Sequence, residues 1–224
     1  MNARSTGHTT LHFIRHADAV PDAGYALDSD SGYDVLNLSA KGRAQADALA
    51  ERLLATTELA AIYASPTLRA RETAEAIARA TGLGVRLDAR IREVYLGDES
   101  VAEVAPEDRA RVVRERLAML ADIALRDGSW AAVPGVEPTA EVRARMLAAV
   151  DDILAAHASG HVAIVSHAGS INAYLASVLG IPRDFFFPIG NTSLNSVRVT
   201  EGRPMLLRLN DTAHLEKGVA SHRA

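Results

Sequence analysis

Two histidines and two arginines stand out, each placed where an apolar run gives way to polar residues. Arg15-His16 follows the run Thr10–Ile14, His167 closes the run His161–Ser166, and Arg69 follows Ser65-Pro66 after the run Ala60–Ala64. Such a set suits a phosphoryl group, whose transfer asks mainly for positioning and for charge stabilisation of the equatorial oxygens. A guanidinium fork matches phosphate oxygens and keeps its charge. A neutral imidazole can attack phosphorus and form a covalent intermediate that water later cleaves. Neighbouring arginines disfavour the imidazolium and so keep His16 unprotonated. Taken singly, each residue fits an ordinary role: His167 as a satisfied core histidine, Arg69 as a solvated helix residue. Their convergence on one edge of a sheet is what points to chemistry. His8, His12, His157, His161, His214 and His222 share no such placement and read as structural or surface residues. No helical histidine pair or nearby carboxylate has metal-ligand spacing, so neither a metal nor a cofactor is expected.

The elements that must position these residues follow from periodicity. Short apolar runs at Thr10–Ile14, Ala60–Ala64, Gly84–Leu87 and His161–Ser166 read as strands, with Ser193–Thr200 and Met205–Leu209 as a closing pair. Between them, Ser39 is an N-cap for a helix to Leu54, and a second helix runs from Ser65-Pro66 to about Ala80. Pro106 opens a helix to Arg126 with Val113, Leu117, Leu120 and Ala124 on one stripe, Thr139 caps a helix to His157, and Gly169 starts one to Leu179. Strands alternating with helices imply a three-layer α/β/α sandwich with a mostly parallel sheet. In such sheets ligands bind outside the carboxyl ends of the strands. The helix from Gly169 would add backbone N–H groups to an anion site there. One domain over 1–224 is expected, with specificity insertions at about 17–37 and 100–130.

These motifs resemble the histidine phosphatase superfamily, in its phosphoglycerate mutase-like branch. Leu11–Ala17 is similar to the family's Arg-His-Gly signature, and the resemblance continues through Leu38-Ser39, Gly42, Gln45-Ala46, Ser65-Pro66, Arg69 and Thr73-Ala74. It resumes at Gly135 and Glu137, Val165–Gly169, Asn210-Asp211 and His214-Leu215. The resemblance implies that His16 is phosphorylated, that Arg15, Arg69 and His167 hold the phosphoryl oxygens, and that His167 takes part in catalysis. Glu93, in a segment similar to the family's acidic-residue-to-glycine stretch, is then the general acid, with Asp98 and Glu99 as substitutes. Ala17 replaces the usual glycine, Asn172 stands where many members carry arginine, and the downstream asparagine and the aromatic residue after Gly97 are missing. The expected function is hydrolysis of a small phosphorylated metabolite without a metal. A protein phosphohistidine phosphatase, a phosphoglycerate mutase and a non-catalytic phospho-ligand-binding member are the alternatives.

Composition narrows the rest. The 224 residues are 48% hydrophobic and 23% charged, enough for a substantial core. The absence of cysteine excludes a disulfide framework, a thiolate nucleophile and cysteine-ligated zinc. A net charge of -4 gives no general attraction to nucleic acid or to an anionic membrane. Met1–Thr10 lacks the apolar stretch of a signal peptide and no run approaches the roughly 20 apolar residues of a membrane span, so a cytoplasmic location is expected. Five aspartates between Ala17 and Asn37 hint at a substrate with a cationic or hydroxyl-rich portion.

Overall fold

The computed structural model describes residues 7–19, 36–95, 104–131, 133 and 135–216. Most of the expected insertion at 17–37, including four of its aspartates, and the alternative acids Asp98 and Glu99 lie outside these residues. Six strands form one sheet: β1 (His8–Arg15), β2 (Leu59–Ala64), β3 (Val85–Leu87), β4 (Gly160–Ser166), β5 (Leu194–Thr200) and β6 (Arg203–Asp211). Their order is β3-β2-β4-β1-β5-β6. β3, β2, β4 and β1 pair in parallel, and β5 runs antiparallel to both β1 and β6. The sheet is therefore mostly parallel, as its pattern implied. β1 and β4 are central, and their residues from Leu11 to Ile14 and from Val162 to Val165 are almost wholly buried. Burial on both faces is why these strands read as continuous runs and not as alternating ones.

The described residues include five α-helices, α1 (Ala40–Thr56), α2 (Leu68–Thr81), α3 (Pro106–Asp127), α4 (Thr139–Ala156) and α5 (Ala168–Leu179), of which α1 and α2 cover one face of the sheet and α4 and α5 the other. α1 buries Ala46, Leu49, Ala50 and Leu53, and α2 buries Ala70, Ala74 and Ile77, against Ile14, Ile62, Ala163 and Val165 of the sheet. The opposite face, with Leu11, Phe13, Val162 and Ile164, packs on Val142, Met146, Ala149 and Ile153 of α4 and on Ile171 and Leu175 of α5. α1, α2 and α4 space their apolar residues three and four apart, which gives each a single buried face, whereas α5 is buried all round from Gly169 to Ala176. The three layers are those of the expected sandwich. Among the described residues no helix is long and apolar enough to cross a membrane.

Helix ends largely follow the sequence signals. Ser39 caps α1, its Oγ accepting from the Gly42 N–H at 2.9 Å. Thr139 does not cap α4. The helix starts one residue earlier because the Pro138 carbonyl takes the first bonds, from the N–H groups of Glu141 and Val142. Of the apolar stripe expected on α3, Leu120 and Ala124 are buried, while the side chains of Val113 and Leu117 lie outside the described residues.

Candidate active site

The strand order decides what meets at the carboxyl edge. β4 lies between β1 and β2, so the residue after β4, His167, falls between His16 after β1 and the Ser65–Arg69 turn after β2. The ends are held level by the ladder: the His16 N–H donates to Ser166 O at 3.0 Å and the Ser65 N–H to Val165 O at 2.9 Å. The imidazole rings of His16 and His167 stand 5.0 Å apart. Arg69 sits in the first turn of α2 with only 5% of its surface exposed. It donates from Nε to His16 Nε2 at 3.2 Å and from Nη2 to His167 Nδ1 at 3.3 Å.

Both tautomers follow from these partners, because a guanidinium has only donors and a carbonyl only accepts. His16 Nδ1 lies 2.7 Å from Ala17 O, so the proton is on Nδ1 and Nε2 carries a lone pair. His167 accepts from Arg69 at Nδ1, so its Nε2–H donates to Ser65 Oγ at 2.9 Å. Burial holds the His16 imidazole well below the usual histidine range, and the charges of Arg69 and Arg15 add to that, against the Ala17 carbonyl. His167 is lowered for the same reasons: burial, then Arg69, His16 and Arg15. The sequence pointed to the arginines; burial is the larger cause.

Arg15 donates to Ile189 O, in the 180–193 segment that precedes β5. Its Nε is a buried donor with no hydrogen-bond partner among the described residues. That segment is held by three asparagines. Asn191 donates to His16 O at 2.8 Å, Asn210 accepts from the Gly190 N–H at 2.7 Å, and Asn172 donates to Phe187 O at 3.1 Å while accepting from the Phe186 N–H at 3.0 Å. Asn172, which stands where many members of the resembled family carry arginine, is thus a buried brace for the pocket rim.

On the other side, the loop after His16 rests against the start of α1. Ser39 Oγ donates to Asp18 Oδ2 at 2.6 Å, and the Ser39 N–H donates to Asp18 O at 3.0 Å. The approach is so close that a Cβ on Gly42 would lie 2.0 Å from Asp18 O, so only glycine fits there.

Glu93 follows a short 3₁₀ turn, Ala89–Ile91, and its Oε1 accepts from the Val94 N–H at 2.9 Å. It abuts the N-terminus of α5, where a Cβ on Gly169 would fall 2.8 Å from Glu93 Oε1 and 2.6 Å from Val94 Cγ2. Beneath it lies a clamp that reading the sequence missed. Arg145 of α4 donates to the carbonyls of Arg90, Arg92 and Glu93 at 2.7, 2.8 and 3.1 Å. The same guanidinium bonds Glu137 at 2.8 and 3.0 Å, and Glu137 also accepts from Arg92 and from the Tyr95 N–H. Burial pushes the Glu137 carboxyl up, but the bonds from Arg145, Arg92 and Tyr95 outweigh it and hold the group at about 2. The signal was a charge at Arg145 on the apolar face shared by Val142, Met146 and Ala149.

Arg15, His16, Arg69 and Glu93 all line one cavity of about 310 Å³, which continues past them to apolar residues of α3 and the 180–193 segment. Of the histidines read as structural, His222 lies outside the described residues and the others do not line this cavity: His12 bonds Ser196 Oγ and His161, and His157 bonds Tyr63. Two histidines, two arginines and a carboxylate at the mouth of a parallel sheet, with a nucleophilic nitrogen kept neutral, are equipped for phosphoryl transfer.

Comparison with known proteins agrees. The family model of the histidine phosphatase superfamily (branch 1) matches residues 11–212. The chain is 32% identical to phosphoserine phosphatase 1 of Hydrogenobacter thermophilus, over 96% of this chain and 98% of that protein. It is 33% identical to a glucosyl-3-phosphoglycerate phosphatase of Mycolicibacterium vanbaalenii, over 78% of this chain and 76% of the other. Among solved structures, Bacillus stearothermophilus YhfR superposes with a TM-score of 0.73 at 30% identity, covering 93% of this chain and 100% of that one.

Proposed function

The chain belongs to the histidine phosphatase superfamily and is a phosphatase of small phosphorylated metabolites, and from that premise we propose that it works without a metal through a phosphohistidine on His16. The observation that carries this reading is the orientation of His16: Nδ1–H is tied to Ala17 O, and the lone pair of Nε2 faces the Arg69 guanidinium in a cavity lined by Arg15. In the reaction, a phosphoryl oxygen takes up the donors of Arg69, and the unpartnered Arg15 Nε takes another. Nε2 of His16 attacks phosphorus in line with the ester oxygen, forming an N–P bond as the P–O bond breaks. His167, fully buried and bonded to Ser65 and to Arg69, fixes the guanidinium that meets the equatorial oxygens. Glu93 gives its proton to the departing alkoxide and then takes one from the water that cleaves the phosphohistidine. The two arginines provide the positive charge that a metal supplies in other phosphatases.

The test is to quench the protein during turnover of a labelled substrate in a chelator-containing buffer. Label that is lost in acid, kept in base and absent from His16→Ala is the expected result, with turnover in that variant reduced by at least about 10³-fold. Near-normal turnover by His16→Ala, or activity lost to the chelator and restored by magnesium or zinc, sinks the reading.

A further inference from the structure

The cavity has two unlike halves. Its charged lining, Arg15, His16, Arg69, Glu93 and Asp18, lies at the sheet edge. The rest of its lining includes an apolar wall: Leu120, Ala124 and Leu125 from α3, with Trp130, Phe185 and Val94. Leu120, Ala124, Trp130, Phe185 and Val94 are each less than 9% exposed, so the wall is a built surface and not a chance patch. Trp130 has already satisfied its single polar atom, the indole N–H donating to Glu137 O at 3.0 Å, and offers the pocket only its ring. The wall is fastened to the rest of the fold: the N–H groups of Asp184 and Phe185 both donate to Gly128 O at the end of α3. No charged or hydrogen-bonding side chain among the described pocket residues comes from α3.

Resting on the phosphatase reading above, we infer that the preferred substrate is a phosphomonoester whose alcohol portion is a compact apolar body, a short alkyl chain or a single ring, lying against Leu120, Ala124, Leu125 and Trp130. The phosphate occupies the charged end, and the ester oxygen lies between the two halves, on the side of Glu93. A phosphorylated amino acid or a polyol phosphate would press ammonium, carboxylate or hydroxyl groups against this wall, where none of the described α3 side chains that line the pocket can pair with them, which is unfavourable. The size also fits: about 310 Å³ is near the low end of the range of roughly 300–1,000 Å³ for ligand pockets. Leu125 is 46% exposed yet faces the cavity, so it can be changed with little risk to folding.

Two homologous series test this. Hydrolysis of n-alkyl phosphates from ethyl to hexyl, whose leaving groups differ little in acidity, gives kcat/KM. Calorimetry with n-alkylphosphonates, which have no ester bond to break, gives affinity without chemistry. Each added methylene is expected to raise both by about two- to fourfold until the pocket is filled. O-phospho-L-serine and glycerol 1-phosphate should lie at least about tenfold below hexyl phosphate in kcat/KM. Leu125→Asn, with Leu120→Asn as the second variant, should flatten both slopes and leave the affinity for inorganic phosphate unchanged. A phosphonate series that is flat with chain length, or polar esters turned over faster than hexyl phosphate, overturns the inference even if the protein is an active phosphatase. A rising phosphonate series with no hydrolysis of any ester would instead overturn the phosphatase reading and leave the apolar preference standing.

Discussion

Arg145 and Glu137 form an ion pair of two parallel hydrogen bonds, 2.8 and 3.0 Å long, directly beneath the backbone of Glu93. The guanidinium spends its remaining donors on the carbonyls of Arg90, Arg92 and Glu93, so the ion pair and the carboxylate above it are one mechanical unit. If Glu93 is the acid, Arg145 is a positioning residue, holding the Glu93 backbone and, through Ser170, the start of α5.

Arg145→Lys keeps the charge but not the fork, and is expected to lower kcat for alkyl phosphates by about tenfold, with stability reduced by about 1–3 kcal/mol. The readout specific to positioning is coupling. In a Glu93→Gln background the same change should cost alkyl phosphate turnover almost nothing further, because the acid it serves is gone. Additive losses in the double variant would show that Arg145 acts independently of Glu93.

Arg69 bonds both active-site imidazoles, and its charge is the second cause, after burial, of the depressed His16 value. Arg69→Met should lose about 10²–10³ in kcat/KM, the effect of removing one oxyanion donor. It should also raise the His16 pKa, moving the acid limb of the kcat/KM profile to higher pH, although burial still keeps the group below the usual histidine value. An acid limb that stays in place would mean that His16 is not the group titrating there.

Stability should fall below about pH 6.5 for a reason separate from catalysis. Burial, with His161 and Arg208 contributing, lowers His12 to about 4, and His16 and His167 lie well below their usual range. In the unfolded chain these groups take up protons near 6.5. Between pH 6.5 and 5 the unfolded state thus binds more protons than the folded state, and stability declines as pH falls. Each such histidine costs about 1.4 kcal/mol per pH unit in that window. Glu137 and Asp211, both held at about 2, lose their contributions only at lower pH and do not mask the trend. Urea unfolding at several pH values measures the slope, and His12→Gln, far from the pocket, should reduce it by about one proton. An unchanged slope in that variant would mean His12 does not titrate differently in the two states.

Much of this site was readable because its chemistry sits where strands end. Arg15-His16, Ser65-Pro66 and His167 each close an apolar run, and a parallel sheet brings such ends to one edge whatever the strand order. What the runs could not reveal was that β4 lies between β1 and β2, which is why Arg69 touches both histidines. The braces were hidden for a different reason. Asn172, Asn191 and Asn210 act through side-chain bonds to distant backbone groups, and one asparagine leaves no periodic trace. Arg145 did leave one, as a charge on the buried face of α4, where an unpaired guanidinium would be costly and a partner was implied.

The role proposed for Glu93 can be read from the leaving group. An alkyl phosphate cannot lose its alkoxide readily unless the ester oxygen is protonated, whereas p-nitrophenolate leaves without help. Glu93 lines the same cavity as His16 and Arg69, its Oε1 fixed by the Val94 N–H, which leaves its second oxygen to carry the proton. Glu93→Gln keeps the shape and removes the acid, and should slow alkyl phosphate hydrolysis by about 10²–10⁴. Hydrolysis of p-nitrophenyl phosphate should fall much less, since only the later activation of water is impaired. The ratio of the two losses is the measurement. Equal small losses would reject Glu93 and move the test to Asp98 and Glu99. Equal large losses would assign Glu93 to shaping the pocket or positioning water, with the proton coming from elsewhere.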